Sequence, residues 1–142
     1  MRSMPAHFLL DAWAILAMLQ REEPAATRVR RLVADATEGH VRLAMSVINL
    51  GEVFYSVGRL HGLAAASETL AMIRGLPIQW LSASDHRVFV AAQYKVRHRL
   101  SYADAFAAAA TEELGATLVT GDPELVALAG TLQVERLVRQ TR

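Results

Sequence analysis

Short apolar runs alternate with longer stretches whose apolar residues recur every three to four positions, and this alternation restricts the fold more than any other feature. His7–Leu10, Val41–Met45, Ile78–Leu81 and Thr117–Thr120 read as strands. Ala12–Gln20, Ala25–Thr37, Val47–Leu60, Leu63–Arg74, Asp85–Arg97 and Tyr102–Leu114 read as helices. Pro123–Leu128 reads as a short helix and Gln133–Glu135 as an edge strand. Leu50, Val53, Phe54 and Val57 illustrate the helical spacing i, i+3, i+4, i+7. Gly39, Gly62 and Gly115 stop the helices before them. Strands alternating with helices predict an α/β domain, a mainly parallel sheet of four to five strands with helices on both faces. No linker or repeat divides residues 1–142, so one domain is expected. In such sheets the ligand site lies beyond the carboxyl ends of the strands, where the strand order reverses.

Composition narrows the chemistry. The chain has no cysteine, which excludes disulfides and thiolate metal sites and suits a reducing cytoplasm. Its apolar stretches are too short for a membrane span, and Met1-Arg2-Ser3-Met4-Pro5 lacks the apolar core of a secretory leader. Net charge is only +1, so no global basic field points to nucleic acid. Of the 15 basic residues all but Lys95 are arginine, a bias that fits a GC-rich genome and is compatible with phosphate binding. Apolar residues make up 53% of the chain, which implies that another chain covers part of the surface.

Four carboxylates fall where such a fold does chemistry. Asp11 closes the first strand, Asp122 follows the fourth, and Glu52 and Asp104 lie near the starts of two helices. Each has an ordinary alternative as a helix cap. Asp122-Pro123 looks like an N-cap with proline at N1, and Asn49-x-x-Glu52 and Ser101-x-x-Asp104 resemble capping boxes. Jointly, four like charges gathered at one sheet edge require a counter-charge. With Lys95 the only lysine, the counter-ion suited to such oxygen donors is Mg²⁺ or Mn²⁺. Such an ion can lower the pKa of a bound water and hold a phosphodiester for in-line attack. Asn49 and Thr120 are supporting candidates, able to orient Glu52 or a water.

The runs Leu9-Leu10-Asp11-Ala12-Trp13-Ala14-Ile15-Leu16, Asn49-Leu50-Gly51-Glu52-Val53, Leu100-Ser101-Tyr102-Ala103-Asp104-Ala105 and Leu118-Val119-Thr120-Gly121-Asp122-Pro123 resemble the sequence blocks of PIN domains. The resemblance is closest to the VapC toxins of bacterial toxin–antitoxin pairs, and order, spacing and length agree across nearly the whole chain. It implies a metal-dependent endoribonuclease acting on RNA, a homodimer, and a cognate antitoxin lying over the active-site groove. Asp11, Glu52, Asp104 and Asp122 would be the metal-binding acids. One position departs: the family often has Ser, Thr or Asn two residues after the first Asp, and here stands Trp13. A Trp offers no oxygen, so it reads either as a core residue with its N–H satisfied or as a base-stacking surface.

Lys95, Arg97 and Arg99 are the RNA-contact candidates, the other reading being a solvated helix end that favours the C-terminal dipole. The five histidines show no zinc spacing and are given no catalytic role. A phosphatase using Asp11 as phosphoryl acceptor would need a second Asp where Trp13 stands. A receiver domain would need a lysine after a late strand. The remaining alternative is a PIN-like module that binds metal or RNA without cutting, since a metal cage and a catalyst have the same residues.

Overall fold

The computed structural model describes residues 4–140; Met1–Ser3, part of the segment read above for a leader, lie outside them. Five strands, β1 (Ala6–Leu10), β2 (Val41–Ser46), β3 (Ile78–Leu81), β4 (Thr117–Thr120) and β5 (Val134–Arg136), form one sheet in the order β3-β2-β1-β4-β5. Every adjacent pair is parallel. Among the described residues seven helices connect them: α1 (Ala12–Leu19), α2 (Ala25–Thr37), α3 (Val47–His61), α4 (Leu63–Arg74), α5 (Asp85–Arg97), α6 (Tyr102–Leu114) and α7 (Pro123–Val126). The expected α/β domain is thus present, with a wholly parallel five-stranded sheet. No helix among the described residues is long and apolar enough to cross a membrane.

Both faces of the sheet are buried, which is why its strands read as continuous apolar runs. Successive residues feed opposite cores. Leu9, Ala44, Leu81 and Leu118 pack with α5, α6 and α7, where the alanines at 105 and 107–110 let α6 approach closely. Leu10, Leu43, Met45, Ile78 and Val119 pack with α1, α2, α3 and α4. Leu118 is fully buried at the centre of the first core. Leu118→Ala is therefore expected to cost about 2–5 kcal/mol, read as a lowered urea midpoint with an unchanged slope.

Three local expectations are corrected. The N-cap of α3 is Ser46, whose Oγ accepts from Ile48 N–H at 3.1 Å; Asn49 lies inside the helix and caps nothing. β2 runs without a loop into α3, so the last strand residue is also the cap. The last helix is shorter than expected, because past Val126 the chain tightens into turns in which Thr131 and Leu132 N–H both donate to Leu128 O. The edge strand is shifted by one residue, to Val134–Arg136.

Sheet order places the reversal between β1 and β4. From β1 the chain builds outward through β2 and β3, then returns to lay β4 and β5 on the other side. The crevice beyond the carboxyl ends of β1 and β4 is where such folds bind ligands.

Candidate metal centre

Asp11 and Asp122 flank that crevice. Asp11 follows β1 directly and is 1% exposed. One carboxylate oxygen accepts from Ala14 N–H at 2.9 Å, making Asp11 the N-cap of α1. The other accepts from the Thr120 hydroxyl, at the end of β4. Thr120 Oγ1 also accepts from Asp122 N–H at 3.0 Å, so one buried hydroxyl ties the two acids across the reversal point. Asp122 caps α7, accepting from Glu124 N–H at 2.8 Å with Pro123 at the first helical position.

Asp104 enters from α6. Ser101 caps this helix by accepting from Asp104 N–H at 3.1 Å, which fixes the first turn and aims the Asp104 side chain at the crevice. Glu52 stands on α3, half-buried, with Oε1 buried and unpartnered. Asn49, one turn earlier and fully buried, donates from Nδ2 to Ala103 O at 3.0 Å and so fastens α3 to the start of α6. Its Oδ1 is likewise buried without a partner.

Ligand oxygens of Asp104, Asp122 and Glu124 lie within 4.8 Å of one another. Glu124 was not among the sequence candidates. Its signal is the Asp122-Pro123-Glu124 spacing: residues two apart face different ways along a helix but converge around its cap.

Electrostatics ties in the other two acids. Burial, reinforced by the charges of Asp104 and Asp122, pushes the Asp11 carboxyl up to about 7, against the opposing bonds from Thr120 and Ala14. Burial, then Asp122, Glu52 and Glu124, push Asp104 up to about 6. Burial, then Asp122, push Glu52 upward, and the neighbouring Asn49 amide opposes. Asp104 and Asp122 thus act on Asp11, Asp122 acts on Glu52, and Asp122 and Glu52 act on Asp104; none of the four takes part in an ion pair among the described residues. The donors are all oxygens, the ligand class that hard divalent cations take.

The basic candidates lie elsewhere. Lys95 Nζ donates to Leu100 O at 2.7 Å, holding the α5–α6 loop. Arg97 bonds Gln93 at 3.1 Å and lies 6.0 Å from the Tyr94 ring centre, on a cavity between α5 and α6. Arg99 is exposed in the loop that follows. Trp13 is half-buried, with its ring against Gly121.

The PIN domain family model matches residues 8–130. The chain is similar to VapC20 of Mycobacterium tuberculosis, a sarcin-ricin loop cleaving toxin, at 20% identity and a TM-score of 0.71, covering 94% of this chain and 99% of that one. It is similar to VapBC2 of Rickettsia felis, bound to a DNA fragment from its promoter, at 16% identity and a TM-score of 0.70, covering 93% and 99%. DNA-bound VapBC of Salmonella typhimurium aligns at 14% identity and a TM-score of 0.69, covering 92% and 98%. No curated protein matches the chain. At these identities the structures establish a shared fold, and the family model spans most of the length. The likeness carried by the four sequence blocks holds, and this chain belongs to the PIN domain family.

Proposed function

We propose that this chain is a divalent-metal-dependent endoribonuclease, the toxin of a toxin–antitoxin pair, acting in the cytoplasm with Asp11, Glu52, Asp104 and Asp122 as its metal-site acids. One observation carries the reading: oxygens of Asp104, Asp122 and Glu124 lie within 4.8 Å of one another at the sheet's reversal point, Thr120 ties Asp11 to Asp122, and none of these acids takes part in an ion pair among the described residues. The unpartnered Glu52 Oε1 and Asn49 Oδ1 fit a centre that takes a hard ion, because buried oxygens without donors are otherwise costly.

Mg²⁺ or Mn²⁺, when bound, acidifies a water and neutralises the scissile phosphate. The chain's own groups do the rest. Thr120 and the Ala14 N–H hold the Asp11 carboxylate in a single orientation. Ser101 holds the first turn of α6 and with it Asp104. Glu52, its carboxyl raised chiefly by burial, serves as a ligand or as the group that orients the attacking water. The product is a hydrolysed phosphodiester, with no covalent enzyme intermediate. Arg97 and Arg99, exposed near the end of α5, contact RNA phosphates; Lys95 contributes from the same segment with its ammonium already bound to the loop.

The antitoxin and homodimer readings draw on a different surface. Tyr55, Leu60, Leu63 and Met72 are 48%, 66%, 74% and 47% exposed on the α3–α4 hairpin. That much apolar surface suits a protein partner, and several similar structures are toxin–antitoxin complexes.

The test is incubation of purified protein, and of Asp104→Asn, with total RNA in Mg²⁺ or Mn²⁺ and in EDTA. Discrete fragments that require metal and vanish in the variant are expected, since a contaminating nuclease would survive the substitution. No cleavage, with Mn²⁺ still bound by the parent and lost by the variant, would hand the case to a non-cleaving metal- or RNA-binding module.

A further inference from the structure

Trp13 lies in the first turn of α1, two residues after Asp11, and its ring is held by groups distant in sequence. The Arg139 guanidinium lies 5.0 Å from the ring centre. Arg139 is itself anchored: it pairs with Glu22 at 3.0 Å, bridges Pro24 in antiparallel fashion, and is followed by Gln140, whose N–H donates to Glu23 O at 2.9 Å. Gly121 also lies against the ring. A Cβ built there would come within 2.3 Å of the indole carbons Cη2 and Cζ2, a separation real Cβ atoms essentially never show. Gly121 is not among the positive-φ residues, so what excludes a side chain there is the indole itself.

Gly121 is the single residue between Thr120 and Asp122. On one side of it is the hydroxyl bonded to Asp11; on the other is an acid within 4.8 Å of Asp104 and Glu124 oxygens. The indole is therefore a wall against which the turn that delivers Asp122 rests. We propose that Trp13 is a positioning residue for Asp122, its ring seated in the space Gly121 leaves, so that packing does the work an oxygen cannot do at this position. The proposal rests on the metal-site reading given above. A centre held by several side chains tolerates displacements of only about 0.5 Å. Loss of an outer support typically weakens metal affinity about 10–100-fold.

The test is Mn²⁺ titration by calorimetry of the parent, Trp13→Ala, Trp13→Phe, Gly121→Ala and the double variant Trp13→Ala/Gly121→Ala. Asp122→Asn serves as control, and each protein is measured well below its own unfolding midpoint. Trp13→Ala and Gly121→Ala are each expected to weaken Mn²⁺ binding at least about tenfold. Trp13→Phe is expected to retain most of the affinity, because a ring still backs the turn. The double variant should bind no more weakly than Trp13→Ala alone, since the indole atoms that exclude the new methyl are gone; such non-additivity marks residues in contact. A purely structural role for Trp13 would lower the unfolding midpoint and leave the dissociation constant unmoved.

Parent-like Mn²⁺ affinity in Trp13→Ala would overturn the proposal, and a raised KM for RNA in that variant would assign Trp13 to base stacking instead. Losses that multiply in the double variant would overturn it as well. If the parent does not bind Mn²⁺, or Asp122→Asn binds it as the parent does, the metal-site reading fails and this proposal with it.

Discussion

Asp11→Asn is expected to abolish metal-dependent RNA cleavage while making the metal-free protein more stable at pH 8. The two effects have one origin. Asp11 is buried, and its carboxyl is pushed up to about 7 by that burial and by Asp104 and Asp122. Asparagine keeps the shape and the cap, because its Oδ1 can still accept the Ala14 N–H. It removes the charge that would meet the cation. A bound divalent ion contributes several kcal/mol to such reactions, and each 1.36 kcal/mol is tenfold, so a loss of about 10³-fold or more is expected. At pH 8 the parent holds an ionised carboxylate in the protein interior, and the variant does not. Relief of that burden is worth on the order of 2–4 kcal/mol and shrinks as pH falls toward about 4, below which Asp11 is protonated in folded and unfolded chains alike. Single-turnover cleavage at saturating RNA measures the first effect; urea unfolding in EDTA at pH 8 and pH 4.5 measures the second. Cleavage surviving in Asp11→Asn would leave Asp11 as a helix cap and nothing more.

The metal-free parent should lose thermal stability as pH rises from 5 to 8, and Mn²⁺ should restore it. A carboxyl whose folded pKa is raised stabilises the fold fully below its unfolded pKa and loses that contribution as pH climbs through the folded value. Asp104, at about 6, and Asp11, at about 7, place the fall between pH 5 and 8; Glu52, raised chiefly by burial, adds in the same direction. Glu113, held down by Arg87, and Glu23, held down by Thr27, act oppositely. Their contribution is lost only as pH falls through the ordinary carboxylate range, so the window is free of them. A few kcal/mol over a chain of this length corresponds to a midpoint lower by about 10 °C. Ligand at a hundred times its dissociation constant adds about 2.7 kcal/mol, enough to recover much of that. Scanning calorimetry in EDTA and in Mn²⁺ across this range decides it. A midpoint that is flat or rises in EDTA would show that these carboxyls are not held above their ordinary range.

Most of the fold was legible because its elements carry their own stops. α2, α4, α5 and α6 begin and end where apolar spacing, caps and glycines place them, since each must bury one stripe against a sheet already apolar on both faces. Boundaries slipped where one residue does two jobs: Ser46 ends a strand and caps a helix, so pattern alone could not divide them. The order of Asp11, Glu52, Asp104 and Asp122 along the chain marks the candidate acids, and strand topology brings Asp11 and Asp122 to the same crevice. Glu124 escaped because convergence around a helix cap follows from turn geometry rather than helical period. The surroundings of Lys95 escaped for a related reason: local charge density says nothing of where an ammonium is spent, and here it holds the Leu100 carbonyl. Asn49 was read as a cap or an orienting group. Its role as a fastener between α3 and α6 depends on a backbone carbonyl 54 residues away.

The hydroxyl that links Thr120 to Asp11 also settles which residues of the two central strands face each other. In β1 and β4 neighbouring residues are apolar on both sides of the sheet, Leu9 beside Leu10 and Leu118 beside Val119. Sliding one strand past the other by a single residue would exchange the two cores for similar ones, so greasy side chains alone distinguish poorly between neighbouring alignments. A one-step slip would instead strand a buried carboxylate and a buried hydroxyl without each other. The polar pair at the strand ends thus works as a latch on strand alignment, and a chain that folds correctly has, by the same act, assembled its acidic corner.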